Sequence, residues 1–426
     1  MEHTTSRRNF LKGAACFAGM PAIIPASVLG RNGNVAPSNR IVVAGIGIGP
    51  RGRVVLRPFL EQPDVQFVAV CDAQEDRREI VRRTVNRHYQ NDDCTKHRHM
   101  DDVLGRDDID AVLIATGDRW HAPASILAAR AGKDVFSEKP CAMTIDECRE
   151  LDEAFTKSGQ IYQAGTQRRN VDNFRLANML ATTGRLGNLE TLHAGILPPG
   201  PMLPDLPGEE PPDPANIDWD LWLGPAADRP FNRQYVNGRW RGHAGLTAGF
   251  NVLEWGSHTV DLCQWAAGAD DTAPVDYEPD GGTIHARYAS GLKLVMRLAG
   301  FNNEGDWHNL GTCPVRFIGD EGWIEAGDNG KLAASREDLF GEPPPAEMHG
   351  TDPAKHVREF LDCVRSRENP SCHAKAARHG HVACHAAAIA WKLGRKLRFD
   401  PSSEMFIDDD EANALRRIER RAPWDV

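Results

Sequence analysis

Between residues 40 and 137, four short apolar runs rich in β-branched residues alternate with longer stretches of mixed polarity. Arg40–Ile46, Val65–Cys71, Ala111–Ala115 and Asp134–Ser137 have the near-continuous apolar character of strands buried on both faces of a parallel sheet. Glu75–Tyr89 and Ala122–Ala131 read as helices between them, the second stopped by Gly132. Thr144-Ile145-Asp146-Glu147 forms a capping box, and Ile145, Cys148, Leu151 and Phe155 then recur at helical spacing. This alternation predicts an α/β fold with a doubly wound parallel sheet. Pro58 falls inside the first expected helix ("RVVLRPFLEQ"), which should be kinked or short.

Past residue 165 the pattern changes. Thr283–Tyr288 and Leu292–Leu298 flank Ala289-Ser290-Gly291, a three-residue hairpin connection. Val315–Ile318 and Trp323–Ala326 flank a second hairpin turn at Gly319-Asp320-Glu321-Gly322. Between the two regions lies "LPPGPMLPDLPGEEPPDPANIDWDLWLGP" (197–225), too proline-rich for a regular helix or a central strand, and read as an ordered wrapping loop or lid. The stretch "HVREFLDCVRSREN…AAAIAWKLGRKLRFDP" reads as a helical return. The expected organisation is a leader and linker over 1–33, a first domain over 34–165 and a second α/β domain over 166–426.

The leader changes the picture. Ser6-Arg7-Arg8-Asn9-Phe10-Leu11-Lys12 precedes a small-residue apolar run, the mark of the Tat route, which moves folded proteins. Export through the Tat translocase to a bacterial periplasm is therefore expected. The run is short and broken by Pro21 and Pro25, so stable membrane insertion is not expected. The net charge of −10 becomes about −12 without the leader, and no basic block offsets it. That argues against nucleic acid and anionic membrane, and for small neutral substrates. Ten cysteines without CxxC spacing indicate neither a zinc ribbon nor a disulfide framework.

Gly47-Ile48-Gly49-Pro50-Arg51-Gly52 is a GxGxxG placed where a strand ends and a helix begins. Its glycines permit a tight turn, close approach of a pyrophosphate, and helix–strand packing. Asp72 closes the next strand 20 residues after Gly52, where a carboxylate accepts hydrogen bonds from ribose hydroxyls and repels a 2′-phosphate. The expected cofactor is NAD, with NADP left possible by Arg77 and Arg78.

At Glu138-Lys139-Pro140 the sequence resembles the glucose-fructose oxidoreductase/inositol dehydrogenase/MocA (Gfo/Idh/MocA) family. "VAVCD", "ATGDRWHAPASILAARAGKDVFSEKP", "QAGTQRRN", "DWDLWLGP", "EWGSHTVDLCQWA" and "GDEGWIEAG" follow in order and are similar to its Tat-exported bacterial branch. The resemblance implies an N-terminal Rossmann domain and a C-terminal α/β domain with an open, mostly antiparallel sheet. It also implies a carbohydrate or cyclitol substrate and a homo-oligomer, dimer or tetramer. Lys139 is then expected beside the nicotinamide as a proton relay, with Glu138 orienting it. Glu254-Trp255-Gly256-Ser257-His258 matches the family's Asp-x-x-x-His, with His258 as base and Glu254, in place of aspartate, holding it or the substrate; Asp261, a turn further on, either contacts His258 from behind at the substrate site or caps. The resemblance puts Thr116, Gly117, Asp118, Trp120 and His121 on a cofactor-lining loop, and Gln167 and Arg168 at the site wall. Arg239 and Arg241 face either an acidic sugar or solvent. Tryptophans between Trp219 and Trp265 are mostly core, with a few free to stack on a sugar.

His379, His381, Cys384 and His385 invite a metal reading, but no supporting ligand stands at a suitable spacing, and no metal is expected. Three functions compete: an NAD-dependent oxidoreductase, an NAD-dependent glycosidase working by transient oxidation and elimination, and a non-catalytic dinucleotide-binding module. An exported protein with a dinucleotide site favours chemistry that regenerates its cofactor within each cycle.

Overall fold

In the computed structural model, residues 35–297, 307–340 and 352–424 are described; the leader and the last expected residue of one hairpin strand, Leu298, lie outside them. Ile41–Ile46 (β1), Val65–Cys71 (β2), Thr95–His97 (β3), Ala111–Ile114 (β4), Asp134–Ser137 (β5) and Tyr162–Ala164 (β6) form a parallel sheet in the order β3-β2-β1-β4-β5-β6. The order reverses between β1 and β4, so the connections leave their carboxyl ends in opposite directions and open a crevice there. Pro50–Leu60 (α1), Glu75–Tyr89 (α2), Asp118–Arg130 (α3) and Ile145–Ser158 (α4) cover the sheet.

Two of these helices depart from the pattern. Helix α1 runs unbroken for 11 residues with Pro58 in its last turn, so the proline does not cut it short. Helix α3 starts at Asp118, four residues ahead of the expected Ala122, which places Trp120 and His121 in a first turn and not on a loop. Asp118, Arg119, Trp120 and His121 are all buried. A turn buried on every side shows no apolar stripe, so periodicity misses it. At α4, Thr144 Oγ1 accepts from the Glu147 amide (3.2 Å), while the Glu147 carboxylate reaches back to the Met143 amide (2.8 Å).

The second sheet has nine strands. Leu189–Gly195 (β7), Asp276–Asp280 (β8), Thr283–Arg287 (β9), Lys293–Arg297 (β10), Val315–Gly319 (β11), Gly322–Ala326 (β12), Leu332–Ala334 (β13), Leu397–Asp400 (β14) and Met405–Phe406 (β15) pair in the order β13-β12-β11-β7-β10-β9-β8-β14-β15. The β7–β10 pair is parallel and the other described pairs are antiparallel. Asp172–Thr182 (α5), Val252–Ala266 (α7) and Ala374–Leu393 (α9) pack against this sheet; the short helix Trp219–Leu223 (α6) lies within the proline-rich segment, and Ala354–Ser366 (α8) returns to the first domain. There Phe360 meets Phe59 and Phe136 edge-on, with centroids 6.1 and 5.8 Å apart.

The proline-rich segment and its continuation make a third apolar cluster, in which Trp222, Phe231, Tyr235 and Leu246 are buried and Trp219 stacks on Trp222 at 4.9 Å. It docks on the first domain through the Glu75 amide to Asn216 O (2.8 Å) and the Asp218 amide to Ala73 O (3.0 Å). Helix α7 is fixed from behind by Arg169, 1% exposed. Its guanidinium forms paired bonds to Asp261 (2.8 and 2.8 Å) and to Asp270 (2.8 and 2.7 Å).

Removing one member of such a buried pair leaves an uncompensated charge. Arg169→Met is expected to cost about 3–5 kcal/mol in urea denaturation. A loss below about 1 kcal/mol would mean that the network does not hold α7 in place.

Candidate active site at the junction of two cavities

The site grows from the carboxyl ends of β1, β2, β4 and β5. Gly47 ends β1 with φ 68°, and a Cβ there would lie 2.3 Å from Thr116 Cγ2. Gly52 lets α1 close on β4, since its Cβ would stand 2.9 Å from that of Ala115. With Pro50 as its first residue, α1 turns its unpaired amides toward the crevice, the arrangement that receives phosphate. Asp72 is buried. Its Oδ1 accepts from the Gln74 amide (2.9 Å), and its Oδ2 has no partner. Burial raises the carboxyl against the opposing pull of Arg77.

These residues border a cavity of about 530 Å³. Gly47, Gly49, Pro50, Asp72, Thr116, Gly117 and Trp120 all line it, and Gly52 packs behind. Five arginines (Arg51, Arg77, Arg98, Arg119 and Arg241) stand on its described wall against three aspartates. Arg119 was not picked out by sequence reasoning. It lies 3.9 Å over the Trp222 ring, donates to the Trp222 and Leu223 carbonyls, and keeps Nη1 buried and unpartnered beside Gly117. Burial lowers its guanidinium to about 9. Trp222, Val236, Trp240 and Arg241 from the inserted segment and Trp424 from the C-terminal tail complete the wall. Trp424 meets Trp120 edge-on at 5.1 Å, and the Arg421 amide bonds Pro225 O (3.0 Å). A glycine-free-of-Cβ cradle, helix amides, an orphan carboxylate oxygen and surplus cations fit a dinucleotide diphosphate with a free ribose diol.

A second cavity, of about 230 Å³, shares Arg51 with the first. Lys139, Glu254, His258, Glu138, Gln167 and Arg168 line it. Lys139 Nζ donates to the Glu254 carbonyl (2.6 Å) and to Glu254 Oε2 (3.3 Å), while Arg241 Nε donates to Glu254 Oε1 (3.1 Å). Burial opposes ionisation of Glu254, but Lys139 and Arg241 outweigh it and hold the carboxyl below its usual range. Burial, then the charges of Arg168, Lys139 and Arg51, drive the His258 imidazole well below its usual range, so it is neutral; its Nδ1 is buried without a partner. Burial and the Glu254 charge push Asp118 up to about 7. Arg51 bonds Glu138 (2.8 Å), and Arg168 forms a fork to Asp328 (3.0 and 2.7 Å). Turned to satisfy its neighbours, the Gln167 amide accepts from Arg51 (3.1 Å) and Arg168 (3.2 Å).

Three expectations need correction. Glu254 does not hold His258; its carboxylate is taken by Lys139 and Arg241. Asp261 lines neither cavity, because its carboxylate is held by Arg169 on the far side of α7. His121 does not line the cofactor cavity either. Its Nδ1 donates to Pro140 O (2.7 Å), so it supports the Lys139 turn from below. Of the two arginines left open, Arg239 is exposed and turns to Gln234 (2.9 Å), the solvent alternative, whereas Arg241 bonds Glu254 at the site. The histidines of α9 are spent on packing bonds: His379 to Lys375 O, His381 to Ala377 O and from the Cys141 amide, His385 to Ala142 O. No metal-holding group of three stands among the described residues, and the nine described cysteines are free. Sequence reasoning also missed Asp328, Thr312 and Cys313. Asp328 sits just past β12 in "EAGDNG", a position with no pattern of its own.

A parallel-sheet dinucleotide cradle joined to a lysine–carboxylate–histidine pocket on a second sheet defines a two-domain oxidoreductase fold. The chain matches the oxidoreductase-family NAD-binding Rossmann fold over residues 39–166 and the C-terminal alpha/beta domain of the same family over residues 208–426. It belongs to the Gfo/Idh/MocA family and carries that family's NAD-binding Rossmann domain. A "glycosyl hydrolase family 109 protein 1" of Shewanella sp. (strain MR-4) is 33% identical over 173 residues, 35% of this chain and 36% of the relative. A family 109 protein of Shewanella baltica (strain OS155) is 34% identical over 168 residues, 34% and 36% of the two chains. The match thus spans about a third of these relatives' length. Among solved structures, the WlbA dehydrogenase from Chromobacterium violaceum in complex with NADH and UDP-GlcNAcA superposes with a TM-score of 0.63 at 16% identity, covering 86% of this chain and 98% of that one. An aldose-aldose oxidoreductase from Caulobacter crescentus complexed with glycerol gives 0.60 at 19% identity, covering 84% and 100%. At these identities the likeness is one of fold.

Two outcomes follow from this geometry. Asp72→Ser removes the charge that repels a 2′-phosphate, so the preference for NAD over NADP should fall by about ten-fold or more in fluorescence titrations of stripped protein; an unchanged ratio contradicts the role given to Asp72. Burial lowers His121 to about 4, so between about pH 6.5 and 4 the unfolded chain binds a proton that the folded one does not. Its contribution is whole above pH 6.5 and lost as pH falls toward 4, by up to about 3 kcal/mol. His121→Gln should flatten that acid limb of the urea-denaturation profile, and an identical limb would contradict a neutral His121.

Proposed function

We propose that the protein is an NAD-dependent oxidoreductase acting on a CH–OH group of a sugar, cyclitol or derivative, and that it keeps its dinucleotide bound from cycle to cycle. The observation that carries this reading is the convergence of Lys139, Glu254 and His258 on a small cavity that shares Arg51 with the dinucleotide cradle. Bound NAD+ supplies a hydride acceptor at that junction. Neutral His258 is fit to take the hydroxyl proton on a ring nitrogen and to return it in the reverse direction. The Lys139 ammonium, anchored on the Glu254 carbonyl and carboxylate, holds a donor toward the reacting oxygen and fixes its position. Glu254 stays ionised between two cations and so keeps Lys139 oriented.

Retention of the cofactor is supported by the wall that the inserted segment and the C-terminal tail build across the larger cavity. The twin-arginine leader supports it too. We propose that the protein is exported folded to the periplasm with its dinucleotide loaded, where a cofactor that is not replenished favours chemistry returning the hydride within each cycle. Homo-oligomerisation through the open second sheet belongs to the same reading. The family 109 relatives favour a second one: transient oxidation of a sugar, loss of an acidified neighbouring proton, elimination of the glycosidic bond, then return of water and hydride.

Lys139→Ala is expected to lower single-turnover hydride transfer by at least ~100-fold in protein that still folds. Undiminished turnover would remove the central assignment. Turnover in D2O separates the two readings: glycoside cleavage with solvent deuterium beside the transiently oxidised carbon supports the second, and net ketone without cleavage supports the first.

A further inference from the structure

We propose that the smaller cavity takes an uncharged sugar or polyol and discriminates against carboxylate-, phosphate- or sulfate-bearing substrates, with Asp328 as the residue that sets this preference. The inference rests on the reading of that cavity as a sugar pocket. Every cation on its described wall already has a carboxylate: Arg51 has Glu138 at 2.8 Å, Lys139 has Glu254 at 3.3 Å, and Arg168 has Asp328 through two bonds of 3.0 and 2.7 Å. The larger cavity differs: Arg77 and Arg119 on its wall have no carboxylate within ion-pair distance among the described residues, and Arg119 Nη1 is buried without a partner.

Arg168 decides the matter. It is buried, and a buried guanidinium presenting a planar fork is the usual receptor for a substrate carboxylate. Here Asp328 occupies the fork, itself bonded by the Thr312 hydroxyl (2.6 Å). An incoming anion either displaces Asp328, Glu138 or Glu254, leaving a buried carboxylate unpaired, or is desolvated with no free partner. Hydroxyl groups meet neither obstacle. They accept from Lys139 and donate to Glu254 or to the unprotonated nitrogen of neutral His258 without breaking a pair. The cavity's 230 Å³ also lies below the ~300–1,000 Å³ of pockets for drug-sized ligands, the scale of a single ring.

The test is calorimetric binding to cofactor-loaded protein, so it does not require turnover. Methyl glucoside, galactoside and mannoside are each compared with the corresponding uronide, and myo-inositol with its monophosphate. In every pair that binds, the neutral member should bind about ten-fold more tightly or better. Asp328→Asn keeps the oxygen that Thr312 bonds but removes the carboxylate charge and the arm of the fork on Arg168 Nε, and should raise affinity for the acids by about ten-fold with NAD content unchanged. A wild-type protein that prefers any acid overturns the inference, whether or not the variant folds; so does a folded Asp328→Asn with the same discrimination. Failure of every compound to bind strikes instead at the sugar-pocket reading and takes this inference with it.

Discussion

The structure depends on one ion-paired contact across the domain junction: the Lys139 ammonium on the carbonyl and carboxylate of Glu254. Lys139 stands where a parallel strand of the first sheet ends, and Glu254 in the first turn of the helix that packs on the second. Neither domain makes the site alone. The contact holds only if that helix is fixed in rotation and depth, which Arg169 does by gripping Asp261 and Asp270 behind it. The same carboxylate receives Arg241 from the inserted segment, so that segment, the strand end and the helix meet on one group. Glu254 remains charged because two cations offset the cost of burying it.

Charge is divided unequally between the two cavities. The larger keeps Arg77 and Arg119 without a carboxylate pair among the described residues, as a diphosphate favours, while the smaller sets a carboxylate against each of its cations. His258 sits among three of those cations and is neutral as a result of both burial and repulsion. Neutrality leaves a ring nitrogen open to a proton, while the same cations that keep it neutral lower its basicity.

Much of this was legible in the sequence, where a feature is local. GxGxxG after a strand, Asp72 at the next strand end, the capping box at Thr144 and the buried parallel strands all express short-range rules of turn, cap and period. Lys139, Glu254 and His258 were found through resemblance, and the fold brings them to one cavity. What the sequence did not reveal depends on distant partners. The resemblance left Glu254 to hold either His258 or the substrate, and the fold gives its carboxylate to cations from residues 139 and 241. Asp261 looked like a site residue because it shares the helix, yet Arg169 claims it from the opposite face. Asp328 reaches Arg168 at the smaller cavity and Trp424 lines the larger one, both from far along the chain, and nothing near them in sequence announces it.

The measurement that bears most directly on the account is the cofactor content of mature protein made with its leader in a Tat-competent host. The protein is dialysed extensively and denatured, and the released NAD+ and NADH are quantified. Near-stoichiometric dinucleotide is the predicted result, because the cradle, the inserted segment and the tail should retain it. An empty protein that turns over only with added NAD+ would contradict a retained cofactor and point to an ordinary, exchanging dehydrogenase.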